Sequence, residues 1–434
     1  MRQTDHRTDV NCDNLEIVAE ENLYPRRAET MALEALSDTR VVVVNGARQV
    51  GKSTLARSIL NAKSGAKELY LDDPAVLDAA REDPVGFVRH DELLLIDEVQ
   101  RAPELLLPIK REVDRDPRPG RYLLTGSARL LDLRDLPDAL PGRAETIELW
   151  PLSQGEIDSA PDGFVDAVFR RGADVDLSTT LGKRDYVSRA LRGGYPEAVR
   201  RDPGRRRARF FDSYVSDLIT RDVRQLTDIQ RPAEMRRLLS VVAARMGGLA
   251  VTQALGNDVG MSRVTLSRYL DLLELVFVIK RIPAWSSNLT TRAIGTPKLL
   301  VVDSGLGGRL IGMAPERAME PTSAVRPLLK NFAVGEIARQ LTWADEPVQL
   351  FHYRDRDKIE VDAVLEHASG DLVGVEIKAA ETVRRDDFDG LRHLQSRLGR
   401  RFLAGFVLYS GQESLSFGDR LKALPLAALW RLSP

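Results

Sequence analysis

Apolar positions change their period several times along the chain, and each change predicts an element. Val41–Val44 is an unbroken β-branched run, as in a strand covered on both faces, and Thr54–Leu60 behind it has helical spacing. The runs from Leu93 to Ile96 and from Tyr122 to Leu124 predict two further strands of a parallel sheet. From about Arg231 to Arg281 the pattern reads helix, helix, helix, strand. The third of these helices is capped by Ser262 and runs through Val264, Leu266, Tyr269, Leu270, Leu273 and Leu275, and Val276–Ile279 could open a wing. Period-two alternation over Ile359–Leu365 and Val373–Lys378, with a turn around Ala368-Ser369-Gly370, predicts a hairpin. Between these units, Ser153–Lys183 is rich in Gly, Asp and Ser and reads as a flexible connection, Ile282–Val325 as a bridge, and Met1–Asn22 as a polar arm.

A length of 434 residues allows about three domains, and 43% hydrophobic with 29% charged residues describes an ordinary soluble chain. The single cysteine, Cys12, excludes an intrachain disulfide framework and suits a reducing compartment. No apolar run reaches the length of a membrane span and the first residues are polar, so a cytoplasmic protein with no membrane partner is expected. The net charge of −1 says nothing about partners, but Lys183–Arg245 carries 16 basic residues against 8 acidic ones. Such a stretch suits nucleic acid, an acidic neighbouring subunit or a solvated helix face.

Chemistry concentrates between the first strand and its helix. Gly46-Ala47-Arg48-Gln49-Val50-Gly51-Lys52-Ser53 has the glycine spacing of a loop that aims consecutive amides at phosphate oxygens, reinforced by the helix N-terminus. Lys52 would reach the β- and γ-phosphates of ATP, Ser53 would place its hydroxyl on Mg²⁺, and Thr54 would complete the nucleotide site. Leu93-Leu94-Leu95-Ile96 ends in Asp97, which would hold the same Mg²⁺, and Glu98, which would polarise the attacking water. The polar end of the next strand offers Thr125 or Ser127 to sense the γ-phosphate. Two arginines follow, Arg129 and Arg143. Arg143 is the favoured finger, reaching a neighbouring subunit from the exposed Leu140-Pro141-Gly142 approach, which implies a homo-oligomer.

These segments, with Asn45–Leu55, Leu71-Asp72-Asp73-Pro74, Ile96–Gln100, Pro103-Glu104-Leu105, Thr125-Gly126-Ser127 and Trp150-Pro151-Leu152, resemble the bacterial and archaeal AAA+ type ATPases that carry a C-terminal domain of unknown function. Gly193-Gly194-Tyr195-Pro196-Glu197, Ser267–Leu270, Pro297-Lys298 and Asp303–Leu306 extend the resemblance to nearly the whole chain. It implies ATP binding and a domain layout, and it names no biological task.

The third helix of the middle region presents Arg263, Thr265 and Arg268 on its polar face, a surface that could enter a DNA major groove or stay solvated. In the predicted hairpin, pairing Val361 with Ile377, Ala363 with Val375 and Leu365 with Val373 sets Asp362 opposite Glu376. Facing carboxylates need a cation. Either a divalent ion or Lys378 could supply it, with Glu336 from the helical stretch Asn331–Leu341 as a third carboxylate. Asp, a spacer and Glu-x-Lys resembles the restriction-endonuclease-like superfamily.

The expected architecture is α/β: a polar arm (1–23), an AAA+ type P-loop NTPase domain on a parallel sheet (24–161), a connector with a helical segment (162–230), a winged-helix-like domain (231–282), a connector (283–325) and an α/β restriction-endonuclease-like domain (326–434). Three functions fit it: an Mg²⁺-dependent ATPase that moves its C-terminal modules, an ATP-gated DNA nuclease, and a nucleotide-holding module that acts through partner proteins with little turnover.

Overall fold

A parallel sheet built from β1 (Val41–Gly46), β2 (Lys67–Tyr70), β3 (Leu94–Asp97), β4 (Tyr122–Gly126) and β5 (Ala144–Leu149), in the order β2-β3-β4-β1-β5, forms the first unit of the computed structural model. The structure describes residues 23–127, 140–222, 232–320 and 325–434; the predicted arm Met1–Asn22 and the alternative finger Arg129 lie outside the described residues. β1 is buried along its whole length, which explains its continuous rather than alternating apolar run. Val42 and Val44 pack toward the helices Arg27–Asp38 and Lys52–Asn61, while Val41 and Val43 pack toward the helix Leu106–Arg115. The register Val44↔Thr125 and Ile96↔Leu124 brings the C-terminal ends of β1, β4 and β3 to one edge of the sheet. That is the edge at which open α/β sheets bind ligands.

The middle region has the predicted three helices, Pro232–Ala244, Thr252–Val259 and Arg263–Leu275, followed by an antiparallel ribbon of β6 (Ile279–Ile282) and β7 (Lys298–Val301). Leu249, between the first two helices, bridges to Lys298 and adds a short third line of pairing. Ser262 caps the third helix as expected, accepting from the Thr265 amide. Val264, however, is 81% exposed. It precedes Leu266 by two residues, about 200° around the helix, so it points away from the buried face of Leu266, Tyr269, Leu270 and Leu273. The ribbon closes at β7, beyond residue 282.

The segment between the ribbon strands is welded to the last unit. Trp285 N donates to His352 O (2.6 Å) and His352 N to Pro283 O (3.0 Å). Arg292 forks onto Glu366 (2.6 and 3.2 Å) and lies over the ring of Phe351. This covers the outer edge of a six-stranded sheet of β8 (Val348–Arg354), β9 (Glu360–His367), β10 (Leu372–Lys378), β11 (Phe402–Tyr409), β12 (Leu415–Ser416) and β13 (Leu421–Pro425), ordered β12-β13-β11-β10-β9-β8. β8, β9 and β10 form an antiparallel meander. The helix Asp389–Leu398 then crosses to β11, which runs parallel to β10. The helix Val325–Gln340 precedes the meander and is buried on almost every side.

The stretch Ser153–Lys183, expected to be flexible, is packed. Its helix Phe164–Arg171 sits under the last sheet, with Phe164 edge-on to Phe406 and Gly163 N bonded to Leu432 O (3.0 Å). The polar residues that read as a linker act as caps and close contacts. Ser153 closes a capping box with Glu156, and its hydroxyl donates to Asp162, whose other oxygen accepts from Gly155 N (3.1 Å). A side chain at Gly163 would collide with Pro434. Among the described residues no helix is long and apolar enough to cross a membrane.

Burial, with Glu336 and Glu156 nearby, pushes the Asp162 carboxyl up to about 7. The folded state therefore holds this proton more tightly than the unfolded chain, so the group's contribution is present below its ordinary range near 4 and is lost as pH rises through 7. Urea unfolding of wild type and Asp162→Asn between pH 4 and 7.5 checks this: the variant should gain stability relative to wild type as pH rises, and a constant difference would refute the assignment.

Candidate functional site

Gly46 ends β1 against Leu149, and a Cβ there would stand 2.3 Å from the Leu149 carbonyl oxygen, so only glycine lets the loop leave the sheet at this point. Gln49 (φ 60) and Gly51 (φ 100) then turn the backbone through left-handed conformations into the helix Lys52–Asn61. The loop wraps Lys52, which is only 4% exposed. Its Nζ donates to the carbonyls of Gly46 and Ala47, both at 3.1 Å, and lies 4.0 Å from Glu98 Oε1. Ala47 and Val50 face inward, Arg48 is half-buried, and Gln49 and Thr54 are exposed.

The ends of β3 and β4 and the helix Lys52–Asn61 meet at Asp97. Ser53 Oγ lies 3.0 Å from both of its carboxylate oxygens, and the buried Thr125 hydroxyl donates to Oδ1. Burial pushes this carboxyl up, and the Thr125 hydroxyl partly offsets that. Thr125 Oγ1 also accepts from the Glu98 amide at 3.0 Å, holding Glu98 where the chain leaves β3 in a left-handed turn (φ 57). A hydroxyl and a carboxylate side by side, next to amides that open onto the sheet edge, fit a hard divalent ion and the phosphates it would bridge. The residues placed together are thus Gly46–Thr54, Asp97, Glu98 and Thr125, with Ser127 one residue beyond β4.

Two contributors carry no sequence signal of their own. Arg26, just before the helix Arg27–Asp38, donates to Val50 O (2.9 Å) and Trp150 O (2.6 Å) and pairs with Glu156 (3.2 Å), so one guanidinium braces the loop against the end of β5. Gln100, inside a run recognised only as part of a pattern, donates to Glu98 Oε2 and to Ser127 Oγ (2.9 Å).

Arg143 does not join this site in its own chain. Its carbonyl accepts from Val41 N, at the opposite end of β1 from Gly46, about 17 Å away at about 3.3 Å per strand residue. Its guanidinium pairs with Asp114 at 2.5 and 3.0 Å. Parts of the basic stretch are also spoken for: Arg207 caps the carbonyls of Ala198 and Arg201, and Arg189 and Arg192 hold Gln154. Arg263 and Arg268 stand on the exposed side of their helix.

The carboxylate pair of the last sheet has the predicted register, Ala363↔Val375 and Leu365↔Val373, and Asp362 N lies 3.3 Å from Glu376 Oε2. Lysines, however, meet the need for positive charge. Lys330 Nζ is 2.7 Å from Asp362 and 3.6 Å from Glu376, Lys298 of β7 is 3.3 Å from Asp362, and Lys378 lies 3.4 Å from both Glu376 and Asp387. Burial and the neighbouring Asp362 push Glu376 up to about 7, whereas Lys330 and Lys298 outweigh burial at Asp362 and hold it below its ordinary range. Glu336 is elsewhere: buried, it accepts from Arg339 (3.0 Å) and from Gln154 N (2.9 Å). Among the described residues no three His, Cys, Asp or Glu side chains are grouped to hold a metal ion. Lysines from three elements stand beside the two acids.

Removing the Lys330 amine leaves Asp362 to Lys298 and Glu376 to Lys378, so Lys330→Met should destabilise the protein, by less than the loss of about 3–5 kcal/mol seen when a buried charge keeps no partner. Adding Asp362→Asn should recover much of that loss. Urea midpoints measure both, and an unchanged midpoint for Lys330→Met would show that the acids are neutralised in another way.

Residues 38–158 match the family model described as an AAA domain, 183–317 a domain of unknown function (DUF8612), and 327–429 a second domain of unknown function (DUF4143). Two uncharacterized proteins, of Mycobacterium tuberculosis and Mycobacterium bovis, are each 30% identical over 407 residues, covering 92% of this chain and 83% of their own. Among solved structures, a Walker-type ATPase of Pyrococcus abyssi is 17% identical and covers 67% of this chain and 97% of its own, with a TM-score of 0.42. The Thermotoga maritima RuvB Holliday junction branch migration motor is 20% identical and covers 59% and 88%, with a TM-score of 0.28.

Proposed function

We propose that this chain, which belongs to the same family as the two mycobacterial proteins and carries an AAA-type P-loop ATPase domain, hydrolyses ATP with Mg²⁺ and uses the cycle to move its C-terminal units. The observation that carries the reading is the meeting of Ser53, Thr125 and Glu98 around Asp97, with the buried Lys52 beneath the same loop. Loop amides and the helix N-terminus bind the phosphate chain, and Lys52 exchanges its loop carbonyls for the β- and γ-oxygens. Ser53 and Asp97 would hold Mg²⁺, which supplies charge neutralisation on the phosphates. Glu98, 4.0 Å from Lys52, orients and polarises the attacking water, and Thr125 keeps the acid that holds the metal and the acid that acts on water in a fixed relation.

Transmission runs through the brace. A change at Val50 reaches Trp150 through Arg26, and the Trp150 ring lies against Lys280 of β6 (4.8 Å) and Arg339 of the helix before the last sheet (5.7 Å). Arg143, at the far edge of the sheet, would act only on another copy of the chain, after leaving Asp114. Lys52→Ala should abolish ATP turnover in a protein that still melts cooperatively; undiminished turnover would refute the ATPase reading, and nucleotide retained without any wild-type turnover would favour a holding role.

A second reading, DNA contact, draws on the exposed Arg263 and Arg268 flanking the exposed Val264 at the start of the third helix. Duplex binding measured by fluorescence anisotropy should weaken steeply with salt and drop in Arg263→Ala/Arg268→Ala; indifference to both would discard it.

A further inference from the structure

Glu98 is held at both of its oxygens. Oε1 faces Lys52 Nζ at 4.0 Å, and Oε2 accepts from the amide of Gln100, two residues on in the turn Val99–Arg101. The same Gln100 nitrogen donates to Ser127 Oγ at 2.9 Å, just past the end of β4. An amide nitrogen has two hydrogens, one for each of these acceptors. The opposite amide orientation would aim a carbonyl oxygen at a carboxylate, so the network itself selects the nitrogen. The left-handed backbone at Glu98 makes this possible, because it turns the chain back so that residue 100 returns to the edge its strand has just left.

We propose that Gln100 is a positioning residue that ties Glu98 to Ser127, so that the acid that acts on water and the end of the sensing strand move as one unit. The inference rests on the reading of Glu98 as the group that orients the attacking water. Thr125 fixes only the backbone amide of Glu98, leaving its side-chain torsions free, and Gln100 removes that freedom at the carboxylate. Among the described residues the buried Gln100 carbonyl oxygen has no hydrogen-bond partner, so the polar contacts this side chain makes there are those of its nitrogen. The bonds from Lys52 to the Gly46 and Ala47 carbonyls and from Ser53 to Asp97 do not pass through Gln100, so losing the tie leaves these contacts of the nucleotide cradle in place.

Steady-state ATPase kinetics of the full chain, with binding of a fluorescent ATP analogue, test the link. Gln100→Leu should lower kcat about ten- to a hundred-fold, the scale of a misplaced catalytic group, with KM and analogue affinity moving less than about threefold. In a Glu98→Gln background the same substitution should change kcat by less than about twofold, because the group it positions is already disabled. Wild-type kcat in Gln100→Leu, or an equal fractional loss in both backgrounds, would overturn the proposal while leaving the role of Glu98 intact. Undiminished turnover in Glu98→Gln alone would remove that role and the link with it. If Gln100→Leu fails to melt cooperatively, Ser127→Ala breaks the other end, and an unaltered kcat there overturns the proposal equally.

Discussion

Everything at the nucleotide edge depends on one buried carboxylate receiving hydroxyls from two other elements. Asp97 takes Ser53 from the loop helix and Thr125 from β4, and Thr125 passes the connection on to the backbone of Glu98. A carboxylate out of water is unstable unless such donors surround it, so the sheet register and the site's chemistry are the same constraint. If β4 slipped by one residue, Thr125 would point to the other face and Asp97 would lose its donor.

The same economy of contacts joins the nucleotide domain to the rest. Asp303, fully buried, accepts from Gly194 N (2.7 Å) and Leu306 N (2.8 Å), and a Cβ at Gly193 would stand 2.4 Å from its oxygen. Gly194 in turn exchanges close backbone contacts with Leu152, whose amide bonds to Gly194 O at 2.7 Å. Arg339 binds Pro151 O, Val302 O and Glu336 from the helix before the last sheet. The runs Trp150–Leu152, Gly193–Glu197 and Asp303–Leu306, far apart in the chain, are therefore one junction, and Arg26 ties it to the phosphate loop through the Trp150 carbonyl.

Charge placed inside the protein is answered by charge in the last unit as well. Asp362 and Glu376 face each other, as strand alternation demands, and lysines from three separate elements meet them. Because Lys298 belongs to β7, the cluster also fastens the ribbon of the middle region to the C-terminal sheet, alongside Arg292 on Glu366. The facing acids, read along the chain as a candidate metal site, are here part of an ion-paired joint.

Local rules made much of this legible from the residues alone. Steric and periodic constraints act over a few positions, so the strand–loop–helix around Gly46–Thr54, the acids ending β3, the Ser262 cap and the hairpin register at Ala363 and Leu365 could be read directly. Relations between distant segments could not. Arg26 on Val50, Gln100 between Glu98 and Ser127, Lys330 on Asp362, and Glu336 on the Gln154 amide each depend on where two elements pack, which no local period encodes. Composition misled at Ser153–Lys183 for the same reason: Gly, Ser and Asp serve equally for a loose chain and for tight capping, and only the surface they pack against decides between the two.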